Sequence, residues 1–513
     1  MTAPRTASAA PPAPATLPAL LAHRAAAHGE RTAIVNGERS LGFADWQRRS
    51  GALATVLRTA GLATGDRVGL CYGTGGWTEF AVAFLAVLRA GGVAVPFSDR
   101  TPPAGVGHLL ADCGARFLLH GPAGAPAGVP AGVRTLTEQD PDLPGPVLPE
   151  LDLDLPDLEP GAPAQILYTS GTTGTPKGVT ASHANLAHGC TLDERRRPLR
   201  HSAAFLHTFP VGTNAGQTML VNALNAHARC VAAPQFTPAR FLRLIPEHRV
   251  GSVFLVPATA IEVLASPALA AAAGSGALDG VRLVGSTAAA LPQPVALGLS
   301  RAFAGAQIVN YYTSTEAAPA QVTLLFDPAR PQSPGRPASL ADLRVTDAAG
   351  RPVPPGTAGE LWLRSPAAPR GYLGERDDET FRGRWTRMGD LGRVDEDGFL
   401  HLLDRERDVV KSGAHKVSTL QVEDALHAHP LVADAAAVGV PHPVLGSVVA
   451  AFVVPAGELT AAALRTFLLD RLAVHELPAT VHFRDALPRN EAGKVLKREL
   501  RRALDPDPRE AAP

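Results

Sequence analysis

A chain of 513 residues is longer than one ordinary hydrophobic core supports and predicts two or more domains. Its 48 basic and 48 acidic side chains cancel, so no surplus of positive charge points to nucleic acid or to an anionic membrane; 45% apolar and 19% charged residues are the proportions of a soluble globular protein. The four cysteines, Cys71, Cys113, Cys190 and Cys230, lie far apart, have no metal-ligand spacing, and read as reduced, buried thiols of a cytoplasmic protein.

Residues 1–17 are rich in Ala and Pro, carry no continuous apolar segment of the signal-peptide kind, and predict a disordered extension. Apolar residues at helical spacing predict helices over 53–59 and 78–89. Short β-type runs over 67–71, 93–97, 117–119 and 252–256 alternate with them. That alternation predicts α/β layers with parallel sheet. The best stretch for a membrane span, 80–97, is broken by Arg89 and by Gly91-Gly92, so no span is predicted there. Residues 121–163, dense in Pro, Gly and Asp, predict loops, and 341–363 a small β subdomain. After Arg405 the pattern restarts with a helix over 419–428, a strand-rich stretch over 435–454 and a helix over 460–472. This predicts a compact α+β domain of about a hundred residues, followed by a frayed tail from Asp505.

Before the middle of the chain stands Tyr168-Thr169-Ser170-Gly171-Thr172-Thr173-Gly174-Thr175-Pro176-Lys177-Gly178, just after the apolar strand end Ile166-Leu167. Glycines let a backbone turn sharply and approach a ligand closely. Successive N–H groups in such a turn form a nest for an anion. Four Thr and one Ser add hydroxyl donors, and Lys177 adds one mobile positive charge. The combination suits a polyphosphate. It is not a Walker A loop, because Pro176 stands where that motif needs Gly and no Ser or Thr follows Lys177.

This run resembles the signature of the adenylate-forming superfamily: acyl-CoA synthetases, adenylation domains of peptide synthetases, and luciferases. Four further segments are similar to family motifs and occur in the family's order. They are Tyr312-Thr313-Ser314-Thr315-Glu316 (Tyr-Gly-x-Thr-Glu), Met388-Gly389-Asp390-Leu391 (Thr-Gly-Asp-Leu), the hinge segment from Asp404 to Gly413, and the lysine segment from Pro488 to Lys494. Gly65-Asp66-Arg67-Val68 and Ala90-Gly91-Gly92-Val93-Ala94-Val95-Pro96 also fit, so the resemblance runs from about residue 20 to residue 500. It implies a large N-terminal AMP-binding domain of packed sheets and helices with a small β subdomain over 1–404. A hinge near 405–408 and a mobile α+β lid domain over 405–513 follow.

The resemblance also implies a reaction: carboxylate plus ATP gives acyl-adenylate plus pyrophosphate. Two anions meet at the α-phosphate, so the protein must neutralise charge and hold an in-line geometry. Lys494 matches the catalytic lysine, with Lys177 and Glu316 as further catalytic groups and Glu316 as the Mg²⁺ ligand, a carboxylate oxygen suiting a hard cation. The ATP/AMP site implied comprises Thr169, Ser170, Gly171, Thr172, Thr173, Gly174, Lys177, Ala288, Asn310, Tyr311, Tyr312, Thr313, Thr315, Glu316, Asp390, Arg405 and Lys494. In it Tyr312 lies against the adenine, Thr315 touches the α-phosphate, and Asp390 and Arg405 hold the ribose. Arg407 stands at the hinge position, and Ser412, Gly413 and Ala414 beside the tunnel for the acceptor thiol.

Several positions depart from the family. Ala414 and Thr313 stand where Gly is usual, Thr287 replaces a common Gly, and Thr419 a common Pro. The segment from Phe209 to Gly216 has Thr213 where His is frequent and lacks the Asp that anchors an α-amino group in peptide-synthetase domains. Ordinary drift accounts for these changes. The sharper alternative is a smaller, more polar acyl pocket built from Thr213, Asn214, Thr287 and Thr313, with an unusual acceptor. The leading expectation is a monomeric or homodimeric ligase of secondary metabolism that activates a small or aromatic acid and passes it to CoA. Transfer to a carrier-protein thiol or an amine, diazotase-like activation of nitrite, and a nucleotide-binding relic without turnover are the alternatives.

Overall fold

A computed structural model describes residues 13–137, 156–169, 176–374, 377 and 379–504. The chain folds as two compact units, residues 1–235 with 370–377 and residues 236–369 with 378–513.

The first unit holds a seven-stranded sheet in the order Gly371–Tyr372, Lys177–Ser182, Pro163–Thr169, Val93–Phe97, Arg67–Cys71, Phe117–His120, Arg134–Leu136. Pairing is parallel from Pro163–Thr169 to Arg134–Leu136, and antiparallel where Lys177–Ser182 and Gly371–Tyr372 are added. Val93–Phe97 is buried along its whole length, as a parallel strand covered on both faces must be, and therefore reads as a continuous apolar run. The helix Trp77–Arg89 joins Arg67–Cys71 to Val93–Phe97 and buries Phe80, Phe84 and Leu88. A second group of strands in this unit runs Ala204–His207, Arg229–Ala232, Thr32–Asn36, Arg39–Gly42.

Three local features differ from the sequence expectation. The helix expected over 53–59 is the end of a longer one, Phe43–Thr59. Its first turns bury Phe43, Trp46 and Ser50 at helical spacing, but Asp45, Gln47, Arg48 and Arg49 between them dilute the apolar signal. Thr16 and Leu17, at the edge of the extension expected over 1–17, open a helix Leu17–His28, where the Thr16 hydroxyl accepts from the Ala19 amide at 3.2 Å. Residues 1–12, and the tail from Asp505, lie outside the described residues. Within the stretch expected as loops, Arg134–Leu136 forms a short edge strand on Phe117–His120.

In the second unit Val250–Leu255, Leu283–Ser286 and Gln307–Tyr312 pair in parallel, and Val322–Leu325 and Arg336–Pro337 extend the sheet antiparallel. Leu255, Ser286 and Tyr312 thus finish side by side at one edge, the carboxyl ends where α/β sheets present ligand-binding loops. The expected β subdomain is an antiparallel group built from Leu343–Thr346, Gly359–Arg364, Trp385–Val394 and Leu400–Arg405. Beyond it, Val432–His442 and Gly446–Pro455 form a long hairpin. Val422, Leu426, Leu464 and Leu468, from the helices Thr419–His427 and Ala461–Leu469, cover one side of it, and Leu487 and Leu500 the other. All four cysteines are buried and unbridged. Among the described residues no single helix is long and apolar enough to cross a membrane.

Phe452 is fully buried in the hairpin core, whereas Phe483 of the neighbouring strand is 38% exposed. Phe452→Ala is expected to cost about 3–5 kcal/mol, and Phe483→Ala within about 0.5 kcal/mol. Thermal unfolding of the two variants beside the parent checks the difference; equal shifts would contradict the packing described.

Candidate active site

The segment that dominates the sequence is flanked by two antiparallel strands. Thr169 ends Pro163–Thr169, Lys177 opens Lys177–Ser182, and the two are cross-strand partners. Ser170, Gly171, Thr172, Thr173 and Gly174 between them lie outside the described residues. The Lys177 ammonium lies 4.8 Å from the centre of the Tyr372 ring, on the strand that pairs with Lys177–Ser182. A cation over an aromatic face is held without being neutralised.

In the second unit the motif residues converge on Asp390. The strands Trp385–Val394 and Leu400–Arg405 pair with Asp390 opposite Arg405, and the Arg405 Nε lies 3.5 Å from Asp390 Oδ1. The Tyr312 hydroxyl, at the end of Gln307–Tyr312, donates to Asp390 Oδ2 at 2.8 Å. Burial first, then Asp390, push the Tyr312 phenol well above its usual value of 10, so it stays a donor. Asp390 is therefore held by one neutral and one cationic partner.

Lys494 belongs to the same cluster. Its turn is closed by the Asn490 side chain, whose Oδ1 accepts from the Lys494 amide at 2.9 Å, and by a bond from the Asn490 amide to the Lys494 carbonyl, also 2.9 Å. Gly493 has a φ of +78°, and a Cβ there would stand 2.8 Å from Val256 Cγ2, so both backbone shape and space require glycine. Burial, then Arg405 and Arg407, push the Lys494 ammonium down to about 7, against the pull of Asp390 and Asp408. Asp408 is itself tied to Arg501 at 2.7 Å. Arg407 is exposed at the chain surface. Asp404, one residue before Arg405, is buried and accepts from the Thr419 hydroxyl at 2.9 Å, so the threonine in place of the usual proline anchors the hinge strand.

Other expected residues are placed as follows. Tyr311 packs edge-on against Gly285, where a Cβ would lie 2.7 Å from the ring and 2.8 Å from Phe254. Asn310 is buried and gives its amide to the Pro334 carbonyl at 2.6 Å. Ala288 takes a left-handed φ of 74°, strain that a non-glycine residue keeps only where its surroundings enforce it. Thr315 and Glu316 follow Tyr312 in a half-buried turn. Ser412 is buried, whereas Gly413 and Ala414 are exposed at a turn where the Gly413 amide donates to Leu445 at 2.9 Å.

The threonines expected to line the acyl pocket spend their hydroxyls on the protein. Thr287 donates to the Tyr311 carbonyl at 3.3 Å and Thr313 to the Ala320 carbonyl at 2.6 Å. Thr213 donates to Pro210 at 2.8 Å and caps the helix Asn214–Asn225 by accepting from Gly216 at 3.0 Å. What they bring is volume rather than unused donors. Sequence reasoning missed Ser286, whose buried hydroxyl has no hydrogen-bond partner although it stands between Gly285 and Thr287. Nothing in a lone serine signals this.

Among the described residues no three His, Cys, Asp or Glu side chains gather into a metal cage. Mg²⁺ bound through substrate phosphates and one carboxylate needs none. Glu316 is half-buried and brings a single carboxylate.

Residues 21–373 match the AMP-binding enzyme model, and 421–494 match the AMP-binding enzyme C-terminal domain. The chain belongs to the AMP-binding enzymes. It is accordingly an AMP-forming acid ligase. A feruloyl-CoA synthase from Amycolatopsis sp is 33% identical over 494 residues, covering 92% of this chain and 95% of the relative. A fatty acid–[acyl-carrier-protein] ligase, ScoC, from Streptomyces coeruleorubidus is 32% identical over 494 residues, covering 91% and 92%. The crystal structure of ATP-bound MatB from Rhodopseudomonas palustris superposes with a TM-score of 0.79 at 29% identity, covering 96% of this chain and 99% of that one.

A lysine titrating near 7 is half neutral at neutral pH, and only its protonated form can meet a developing anion. The kcat/KM of pyrophosphate exchange is therefore expected to fall as pH rises above about 7, following the free enzyme. Lys494→Arg, charged throughout this range, should lose that descending limb whatever its absolute rate. A limb of unchanged position in the arginine variant would assign it to another group.

Proposed function

We propose that this ligase activates a small or aromatic carboxylic acid and passes the acyl group to the thiol of CoA. The observation that carries the reading is Lys494, half-buried and within the field of Arg405, Arg407 and the Tyr312-bonded Asp390. A surface lysine would be solvated and alone. Here Lys494 shares its field with two guanidinium groups, an excess of positive character suited to anions.

In the first step an oxygen of the acid attacks the α-phosphorus of ATP. A bond from that oxygen to phosphorus forms, the bond to the bridging oxygen of the β-phosphate breaks, and pyrophosphate leaves. Lys494 donates to the attacking carboxylate and to the α-phosphate as their charges meet, while Asp390 and Arg405 fix the ribose. Lys177 offsets the charge of the departing pyrophosphate, and the hydroxyls of Thr169 and the residues that follow it donate to its oxygens. Mg²⁺, when bound, offsets phosphate charge, and Glu316 would hold it. Ser286, with its unsatisfied hydroxyl, is a further donor for the bound adenylate. In the second step the thiol sulfur attacks the acyl carbon, the carbon–oxygen bond to AMP breaks, and the thiol proton passes to solvent.

A carrier-protein thiol is the second reading, supported by the ScoC relative at 32% identity. Cytoplasmic location and a place in secondary metabolism belong to the same proposal. The deciding experiment is ATP–pyrophosphate exchange over ferulate, salicylate, hydroxy- and amino-benzoates, a series of fatty acids, and nitrite. Product mass with CoA, a holo-carrier protein or an amine then assigns the acceptor. No exchange with any of these would refute the reading.

Lys494→Ala is expected to lower exchange by about 10²–10³, the usual effect of removing one preorganised charge at a developing anion. It should leave thioester formation from a supplied acyl-adenylate near the parental rate; equal loss in both steps would make Lys494 structural.

Thr287 adds three heavy atoms beyond the glycine common in relatives, and its hydroxyl is already committed to Tyr311. Thr287→Gly should extend turnover to bulkier acids, and the parent should disfavour fatty acids beyond about eight carbons. Best parental turnover with a long-chain acid would show that this side chain does not limit the pocket.

A further inference from the structure

The helix Thr419–His427, which opens the C-terminal segment, carries one carboxylate that reaches away from that segment. Asp424 Oδ1 accepts from the Gln293 amide at 3.1 Å. Gln293 is the first residue of the helix Gln293–Ala302, whose N-cap is Pro292, a residue with no side-chain acceptor to offer. The first amides of a helix have no partner within it and carry the positive end of its dipole. Asp424 thus does for this helix what its own cap cannot, from more than a hundred residues further along the chain.

A second contact lies under the loop of Lys494. Gly493 presses on Val256, the N-cap of the helix Pro257–Ala265, and lies 3.8 Å, measured from its would-be Cβ, from Ala258. The C-terminal segment therefore touches the N-terminal ends of two helices that follow parallel strands of the sheet, and one of those contacts bears Lys494 directly.

We propose that Asp424 is a positioning residue for the adenylation step: its seat on the first turn of Gln293–Ala302 holds residues 405–513 where the Lys494 loop lies against Val256 and its ammonium beside Asp390. The inference rests on the proposed function, because it concerns the pose that serves the first half-reaction. Burial pushes the Asp424 carboxyl up to about 7, the Gln293 amide opposing this and Glu423 adding to it. A neutral oxygen acceptor therefore serves as well as a carboxylate. Asp424→Asn should retain the contact, and Asp424→Ala should lose it.

The donor can be removed from the other side. Proline is favoured at the first helical position, where it lacks only the amide hydrogen, so Gln293→Pro should delete the bond without breaking the helix. Asp424→Ala and Gln293→Pro are each expected to slow pyrophosphate exchange about five- to tenfold, the scale of one hydrogen bond to a partly buried acceptor. The loss should lie in kcat with KM for ATP little changed. Asp424→Asn should stay within about twofold of the parent by the same bond-retention argument, and thioester formation from supplied acyl-adenylate should be unchanged in all three.

Hydrogen exchange gives a readout independent of any acid. Asp424→Ala and Gln293→Pro should both raise exchange in the peptide 488–496 while leaving the hairpin of Val432–His442 and Gly446–Pro455 protected. Unchanged exchange in 488–496, or equal loss in both half-reactions, would overturn the inference. A parent that activates no acid but shows the exchange response would instead count against the proposed function alone.

Discussion

A half-buried ammonium group placed in the field of two guanidinium groups is an unfavourable arrangement, and the motif residues of the second unit are arranged around it. Lys494 feels Arg405 and Arg407 against Asp390 and Asp408, and Asp408 is already bonded to Arg501. Burial of charge without full compensation is tolerated where a ligand supplies the missing sign. Everything that fixes this cluster follows from that need: the Tyr312 hydroxyl on Asp390, the strand pairing that sets Arg405 opposite it, the Asn490 clasp on the lysine turn, and the Thr419 anchor on Asp404. Each is a neutral or oppositely charged contact that restrains a charged group without cancelling the positive excess.

The fold was legible where burial is symmetrical. Val93–Phe97 is buried along its length and so announces itself as an unbroken apolar run, and Val250–Leu255, equally buried, reads as apolar but for Gly251 and Ser252. The helix Phe43–Thr59 was half legible, because its solvent face is interleaved with arginines. The edge strand Arg134–Leu136 was not, since an edge strand beside loops needs little apolar surface and carries none of the alternation that marks a strand with one face covered.

The site was legible in its identities and not in its partnerships. Asp390, Arg405, Tyr312 and Lys494 were named from motif residues far apart in the chain, and they lie together. Departures from the family pattern were equally visible, but their meaning was not. A threonine in a sequence offers volume and a hydroxyl together, and only the fold shows that Thr213, Thr287 and Thr313 give their hydroxyls to backbone carbonyls. The contact of Asp424 with Gln293 left no trace in the sequence, because one carboxylate among the acidic residues of an amphipathic helix is ordinary, and its partner is a backbone amide.

The four buried thiols bear on the chemistry in a way unrelated to packing. A mixed anhydride of an acid with AMP acylates any thiolate it meets, and the thiolate, not the thiol, is the nucleophile. Burial pushes Cys113 up to about 11 and Cys190 up to about 12, and raises Cys230 as well, beside the fully buried His207. At neutral pH these sulfurs are overwhelmingly protonated as well as out of reach. A thiol-reactive product made on this chain therefore faces sulfurs that are buried at all four positions and, at Cys113, Cys190 and Cys230, held protonated by that burial.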